Sequence, residues 1–159
     1  MEKLIIAGAG PAGVSAALYA TRLGITPLVI HNGAGALEKA VKIENYYGLP
    51  EVISGKELYE NGLDQLRALQ VPIIQEELVS VAYDGNYTVN TAFHTYQAKA
   101  LILATGARRN KLTLKEAKKY EGSGISYCAV CDAFFYRGKA VAVLGNGEYA
   151  LHEAKVLEP

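Results

Sequence analysis

Lys3-Leu4-Ile5-Ile6-Ala7-Gly8-Ala9-Gly10-Pro11-Ala12-Gly13 is the stretch that decides the fold of this chain. Lys3 to Ala7 is a short apolar run, the pattern of a strand buried on both faces. It leads without a break into G-x-G-x-x-G. From Val14 to Leu23 the apolar residues recur at helical spacing, and Gly24 supplies a C-cap. Ile25 to Ile30 is a second apolar strand. The whole is a βαβ unit with a glycine turn at its first junction, the context that gives such a turn meaning.

Each glycine then has a mechanical task. Gly8 permits the tight turn, Gly10 lets a pyrophosphate approach the backbone, and Gly13 lets helix and strand pack closely. The phosphates would meet the spare N–H groups at the positive end of the helix. Pro11 is tolerated there because the first helical turn has donors to spare. The second strand of such a unit usually ends in an acidic residue that bonds the ribose. Here the place is taken by His31-Asn32-Gly33. His31 or Asn32 could hydrogen-bond a ribose, and either could be an ordinary loop residue.

Further along, residues 33–52 form a long connection containing Glu44-Asn45-Tyr46-Tyr47-Gly48. Long loops inside a compact domain often carry function. Ser54 with Glu57 three residues on forms a capping box, and the helix it opens should run to about Leu69. Strands are expected at 71–75, 78–83, 87–91 and 93–97, with Asp84-Gly85-Asn86 as a turn, which makes a small antiparallel meander. Lys99 to Ala104 reads as another buried parallel strand. It ends in Thr105-Gly106-Ala107, small residues at the carboxyl end of a strand, where α/β sheets bind ligands.

The chain has two cysteines, Cys128-Ala129-Val130-Cys131, with Asp132 directly behind them. That spacing can close a small disulfide ring. A thiolate is both nucleophile and leaving group in disulfide exchange, so an adjacent carboxylate that moves a proton is useful. Half a zinc site is the competing reading, but the available histidines, His31, His94 and His152, lie at no ligand spacing to one another. Two inert core cysteines are a third. No metal is expected.

Beyond the cysteines, residues 139–144 form an apolar run followed by Gly145-Asn146-Gly147-Glu148-Tyr149-Ala150, a G-x-G-x-x-A variant of the dinucleotide turn. A βαβ unit takes roughly 30 residues, and nine follow Ala150. A second domain therefore begins here without being finished, or else this segment adds to the first domain and its motif is incidental. Glu148 also puts a carboxylate where the phosphates of a nicotinamide dinucleotide would lie.

Composition narrows the classes. Half of the 159 residues are hydrophobic and a fifth charged, as in a soluble globular protein. Sixteen basic residues balance sixteen acidic ones, so no global field draws the chain to nucleic acid or lipid. The short basic run Arg108-Arg109-Asn110-Lys111 reads as solvated surface. No apolar run approaches the roughly 18 residues of a membrane span. A cytoplasmic location is expected, where a Cys-x-x-Cys is more often catalytic than structural.

Taken jointly, Gly8–Gly13, Glu44-Asn45 with Gly48, Ala104-Thr105-Gly106-Ala107 and Ser126-Tyr127-Cys128-Ala129-Val130-Cys131-Asp132-Ala133-Phe134-Phe135 resemble the low-molecular-weight flavin thioredoxin reductases. The resemblance covers the whole chain and roughly the first half of such a protein. It implies an α/β architecture: a Rossmann-like FAD-binding domain with a small antiparallel β-meander over 1–112, lacking its closing part, and the start of a second Rossmann-like domain over 113–159. It implies that Gly8, Gly10, Pro11, Ala12 and Gly13 hold the FAD pyrophosphate. Asn45 would approach the isoalloxazine, and Thr105 and Gly106, with Ala107 beside them, would line the flavin site. Cys131 would face the flavin, Cys128 would attack the thioredoxin disulfide, and Asp132 would carry the proton. Relatives of this kind are usually homodimers.

The chain departs from that pattern at Ala34-Gly35-Ala36-Leu37, at Tyr47 and at Tyr149. These departures resemble a branch of the family that takes electrons from ferredoxin, so NADPH and reduced ferredoxin both stand as donors. A flavin dithiol oxidase acting on a small molecule, and a catalytically incomplete FAD-binding fragment, are the alternative functions.

Overall fold

The computed structural model describes residues 1–107 and 111–158. Arg108, Arg109 and Asn110 of the basic run, and Pro159, lie outside the described residues. The chain divides into two compact units, Met1–Ala107 and Arg108–Pro159.

The first unit is built on one sheet of order β3-β2-β1-β6-β5-β4. Strands β1 (Glu2–Ala7), β2 (Leu28–His31) and β3 (Ile73–Gln75) run parallel. β6 (Thr95–Leu103) runs parallel to β1, with Ile6 opposite Ile102, and antiparallel to β5 (Tyr87–Thr91). β4 (Leu78–Tyr83) completes the meander on β5, with Val81 opposite Val89. Two strands expected separately, 93–97 and 99–104, are thus one. Nothing breaks the chain between them, because Ala98 is fully buried and extended. The first half of this strand pairs with β5 and the second half with β1, so its side-chain pattern changes midway without a turn.

Helix α1 (Pro11–Arg22) follows β1 through the glycine turn. Its C-terminus closes at Gly24, whose φ of 76° suits a residue without a Cβ. Helix α2 (Gly55–Ala68) begins at Ser54, whose hydroxyl accepts the Glu57 amide at 3.1 Å. Leu4, Ile6, Val29, Val14, Ala17, Leu63 and Leu66 form the core between the sheet and these helices. Ile5, Leu28, Ile30, Val89 and Ala98 form a second core on the opposite face. Ile5, Ile6, Val29 and Ile30 are each at most 1% exposed. Alternate residues of β1 and β2 therefore serve both layers, which is why those strands are apolar throughout.

The second unit holds α3 (Ala117–Tyr120), α4 (Ala129–Asp132) and α5 (Glu148–Leu157). The apolar run 139–144 forms no strand. Strand geometry is stabilised by a neighbouring ladder, and none is present beside it among the described residues of this unit. Val143 and Leu144 remain 40% and 69% exposed.

Candidate functional site

The glycine turn of the first unit is a close-packed junction with one open position. Gly8 has φ +112°, and a Cβ there would lie 2.2 Å from the Ala104 carbonyl oxygen at the end of β6. A Cβ on Gly13 would lie 1.9 Å from the Gly8 carbonyl oxygen. Gly10 differs: a Cβ built there meets nothing within 4 Å. The first and third glycines are therefore required by the protein's own packing. The middle glycine leaves free space over the start of α1.

That space is suited to an anion. α1 has no side-chain cap and no acidic residue in its first turn, so its leading N–H groups keep their positive end uncancelled. A cavity of about 150 Å³ lies beside the turn, lined by Ala9, Gly10, Pro11, Leu37, Tyr46 and Tyr59 among others. It is smaller than an ordinary ligand pocket, so it would take part of a dinucleotide rather than all of it. Thr105, Gly106 and Ala107 leave β6 exposed next to this junction, and the Thr105 amide is 3.3 Å from the Gly8 Cβ position. The fold thus brings Gly8–Gly13 and the Thr105 segment together. These residues fit a dinucleotide such as FAD: glycines where a bulky phosphate must approach, beside the uncapped start of α1.

His31 ends β2 and is buried. The Gly33 amide donates to its Nδ1 at 3.3 Å, and the Tyr59 hydroxyl lies 2.7 Å from the same nitrogen. An amide can only donate, so Nδ1 is an acceptor and the ring proton sits on Nε2. Burial, and then the Arg67 charge, hold the imidazole below its ordinary pKa and so keep it neutral. Burial foremost, with Glu60 adding to it, pushes the Tyr59 phenol up, so that group keeps its proton to donate. Nδ1 is thereby occupied within the protein, which leaves Nε2 as the only ring atom for a ribose. Asn32 is exposed beside it, and Asn45 is exposed in the long connection, separate from the glycine turn in sequence.

In the second unit Cys128 and Cys131 form a disulfide with Cα atoms 5.3 Å apart. Cys128 is the N-cap of α4, half-buried, and its Sγ accepts the Cys131 amide at 3.2 Å. Of the two sulfurs, Cys128 is thus the one whose thiolate the backbone would support after reduction. Cys131 is exposed within this unit. Asp132 closes α4, and the Ser126 hydroxyl donates to its Oδ2 at 2.5 Å. The same hydroxyl oxygen accepts the Cys128 amide at 3.1 Å, so one serine ties the carboxylate to the cysteine turn. Phe134 and Phe135, both largely exposed, meet edge to face just beyond, with ring centroids 5.9 Å apart.

Two contacts escape sequence reasoning. Ser126 lies inside the quoted motif, but its position in the sequence gives it no task. Glu153 on α5 accepts the Ala129 amide through Oε2 at 2.5 Å, across 24 residues of sequence. No local pattern announces a pair that distant.

The second glycine turn also forms. Gly147 is the N-cap of α5, Glu148 occupies its first turn, and a Cβ on Gly145 would meet the Ala150 Cβ at 2.5 Å. A broad depression of about 590 Å³ is lined by Gly145, Asn146, Gly147, Glu148 and Leu151 among others.

Known proteins share sequence and fold with this chain along nearly its whole length. The family model for pyridine nucleotide-disulphide oxidoreductases matches residues 2–158. A thioredoxin reductase of Streptomyces coelicolor is 36% identical over 162 aligned positions, covering 99% of this chain and 50% of that protein. The crystal structure of a thioredoxin reductase from Streptococcus pyogenes superposes with a TM-score of 0.83 at 37% identity, covering 97% of this chain and 51% of the other. A ferredoxin-flavin thioredoxin reductase from Clostridium acetobutylicum gives a TM-score of 0.60 at 32% identity, over 98% of this chain and 55% of that one. The chain spans about half the length of the proteins it matches.

Proposed function

The chain belongs to the pyridine nucleotide-disulphide oxidoreductase family, and from that membership we propose that it carries the flavin cradle and the dithiol of an FAD-dependent thioredoxin-disulfide reductase. The observation that carries the reading is the Cys128–Cys131 disulfide at the head of α4, with the Asp132 carboxylate tied to the same turn through Ser126.

FAD, when bound, supplies a two-electron carrier that can pass reducing equivalents to a disulfide. The chain's own residues do the rest. Gly8, Gly10, Pro11, Ala12 and Gly13 form a backbone seat for a diphosphate, and Thr105, Gly106 and Ala107 border it. Asn32, Asn45 and the Nε2 edge of His31 are the further polar contacts in this reading. Two electrons and two protons open the Cys128–Cys131 disulfide. The Cys128 thiolate then attacks a thioredoxin disulfide, forming one S–S bond as the substrate's own breaks, and the departing substrate thiolate takes a proton. The Cys131 thiolate next attacks the Cys128 sulfur, restores the internal disulfide and releases the second substrate thiol. Asp132 gives and receives the proton at the leaving sulfur.

The reading includes a cytoplasmic location and a homodimer, supported by the dithiol chemistry and by the resemblance. No described helix is long and apolar enough to cross a membrane. NADPH and reduced ferredoxin are the two donors, and anaerobic bleaching of the flavin band by one and not the other decides between them. The reading fails if the chain purified with excess FAD retains no flavin absorbance, or if Cys131→Ser reduces thioredoxin at the wild-type rate. Rapid oxygen consumption with small dithiols and no thioredoxin would replace it with a dithiol oxidase.

A further inference from the structure

Cys128 sits between two backbone amides with opposite consequences. The Cys131 amide points at Cys128 Sγ and would stabilise a thiolate there. The Ala129 amide, directly after Cys128, would add to that stabilisation if it were free, because a backbone N–H beside a thiolate can donate to it. It is not free. Glu153 reaches from α5 and takes it at 2.5 Å. The contact brings a carboxylate to the residue next to the cysteine, and the side chain is half-buried, where charge is less screened than in open water.

We propose that Glu153 is a positioning residue for the dithiol, fixing the Cys128–Cys131 turn on α5 through the Ala129 amide and restraining thiolate formation at Cys128. This rests on the dithiol reading above and adds a regulator to it. Reduction of the disulfide consumes two electrons and two protons and yields two thiols; Cys128 then loses a proton to become the attacking thiolate. Glu153 acts on that last step. Its charge opposes the new negative charge, and it withholds an amide that would otherwise favour it. The Cys131 amide pulls the other way, so the two contacts together set how reactive the open dithiol is. Ser126 ties the Asp132 carboxylate and the Cys128 amide to the same turn, a contact that changes at Glu153 leave in place.

The test is alkylation of the reduced protein by iodoacetamide across a pH series, with the labelled cysteine located by peptide mass spectrometry. In the reaction the Cys128 thiolate displaces iodide, so the rate follows the thiolate fraction. Glu153→Gln removes the charge and keeps an acceptor for the Ala129 amide. Glu153→Ala removes both the charge and the acceptor, and so frees the Ala129 amide. Asp132, His152 and Lys155 are unchanged in both variants, so a difference from wild type reports Glu153. Both variants should move the midpoint of the Cys128 alkylation profile down by about one pH unit, which is up to about tenfold faster labelling near neutrality. A wild-type profile in Glu153→Gln overturns the proposal. If that variant does not accumulate folded, Glu153→Ala decides by the same criterion. Neither flavin nor thioredoxin takes part in the readout. A chain that alkylates as expected but never reduces thioredoxin would sink only the function proposed above.

Discussion

Replacing Gly10 and Gly13 separately by alanine divides ligand binding from packing, because the two positions share a motif but not an environment. At Gly10 the backbone has φ −72° and ψ −177°, open to any residue, and a Cβ meets nothing within 4 Å. The structural cost is the poorer N-cap preference of alanine, about 0.5–1 kcal/mol, or about 2–4 °C in Tm for a domain of this size. The methyl does occupy the space over the leading amides of α1. Losing one or two charge-assisted hydrogen bonds to a diphosphate, at about 1.5–3 kcal/mol each, weakens FAD binding roughly 10- to 100-fold or more. At Gly13 the methyl would sit 1.9 Å from the Gly8 carbonyl oxygen. The helix must back away from the strand by roughly 1 Å, a strain of about 1–3 kcal/mol that outweighs the gain of about 1 kcal/mol in helix propensity. Thermal melts with and without FAD, together with a flavin fluorescence titration, read both effects. Gly10→Ala should melt within a few degrees of wild type and bind FAD poorly, while Gly13→Ala should melt lower even without flavin. Wild-type FAD affinity in Gly10→Ala would refute the argument, as would a raised Tm in Gly13→Ala.

Asp132→Asn should keep its flavin and disulfide but slow thioredoxin reduction about 100-fold, the usual contribution of a positioned proton carrier; undiminished turnover in a thioredoxin-coupled assay would remove Asp132 from the mechanism. His31 is held neutral in the fold, so the unfolded chain binds a proton more readily than the native one. Its contribution to stability is complete above the ordinary histidine value of about 6.5 and is lost as pH falls through the lowered native value. Urea midpoints from pH 8 to 5 should therefore fall on acidification, and His31→Gln should flatten that part of the curve; an unchanged slope would show that other groups govern it. Ser54→Ala removes the hydroxyl that accepts the Glu57 amide and should lower stability by about 1 kcal/mol, read as a lower urea midpoint at constant m.

The first βαβ unit is legible because its signals are local. Glycine spacing, an apolar strand and a helical period all lie within the first thirty residues, and Ser54 with Glu57 marks the next helix as plainly. The meander strands 78–83 and 87–91 appear with the expected ends, since Asp84-Gly85-Asn86 forces the turn between them. What could not be read depends on partners. β6 looks like two strands because its two halves face different neighbours, β5 and then β1. The run 139–144 looks like a strand because composition records β-propensity but not the presence of a ladder. The same holds at the dithiol. Cys128, Cys131 and Asp132 stand in a five-residue stretch with Ser126 close by, whereas the contact of Glu153 with the Ala129 amide is created only by the approach of α5 to α4.

The two glycine turns show why spacing alone underdetermines chemistry. Both bring the first glycine against the sixth residue: position 13 must be glycine to clear Gly8, and Gly145 makes room for Ala150. Their electrostatics then diverge. α1 opens with no acidic residue, so its positive end is available to an incoming phosphate. α5 opens with Glu148, which already complements its own dipole and opposes a second negative charge at the same place. One turn later, Glu153 turns the same helix toward the cysteine pair. α5 is thus committed by two carboxylates, one quieting its N-terminus and one holding the dithiol turn. A dinucleotide seat needs the first of those carboxylates absent, and a strut for the dithiol needs the second present. On these grounds the ferredoxin arm of the proposed function makes the lesser demand on this chain, because it asks nothing of the second glycine turn beyond packing.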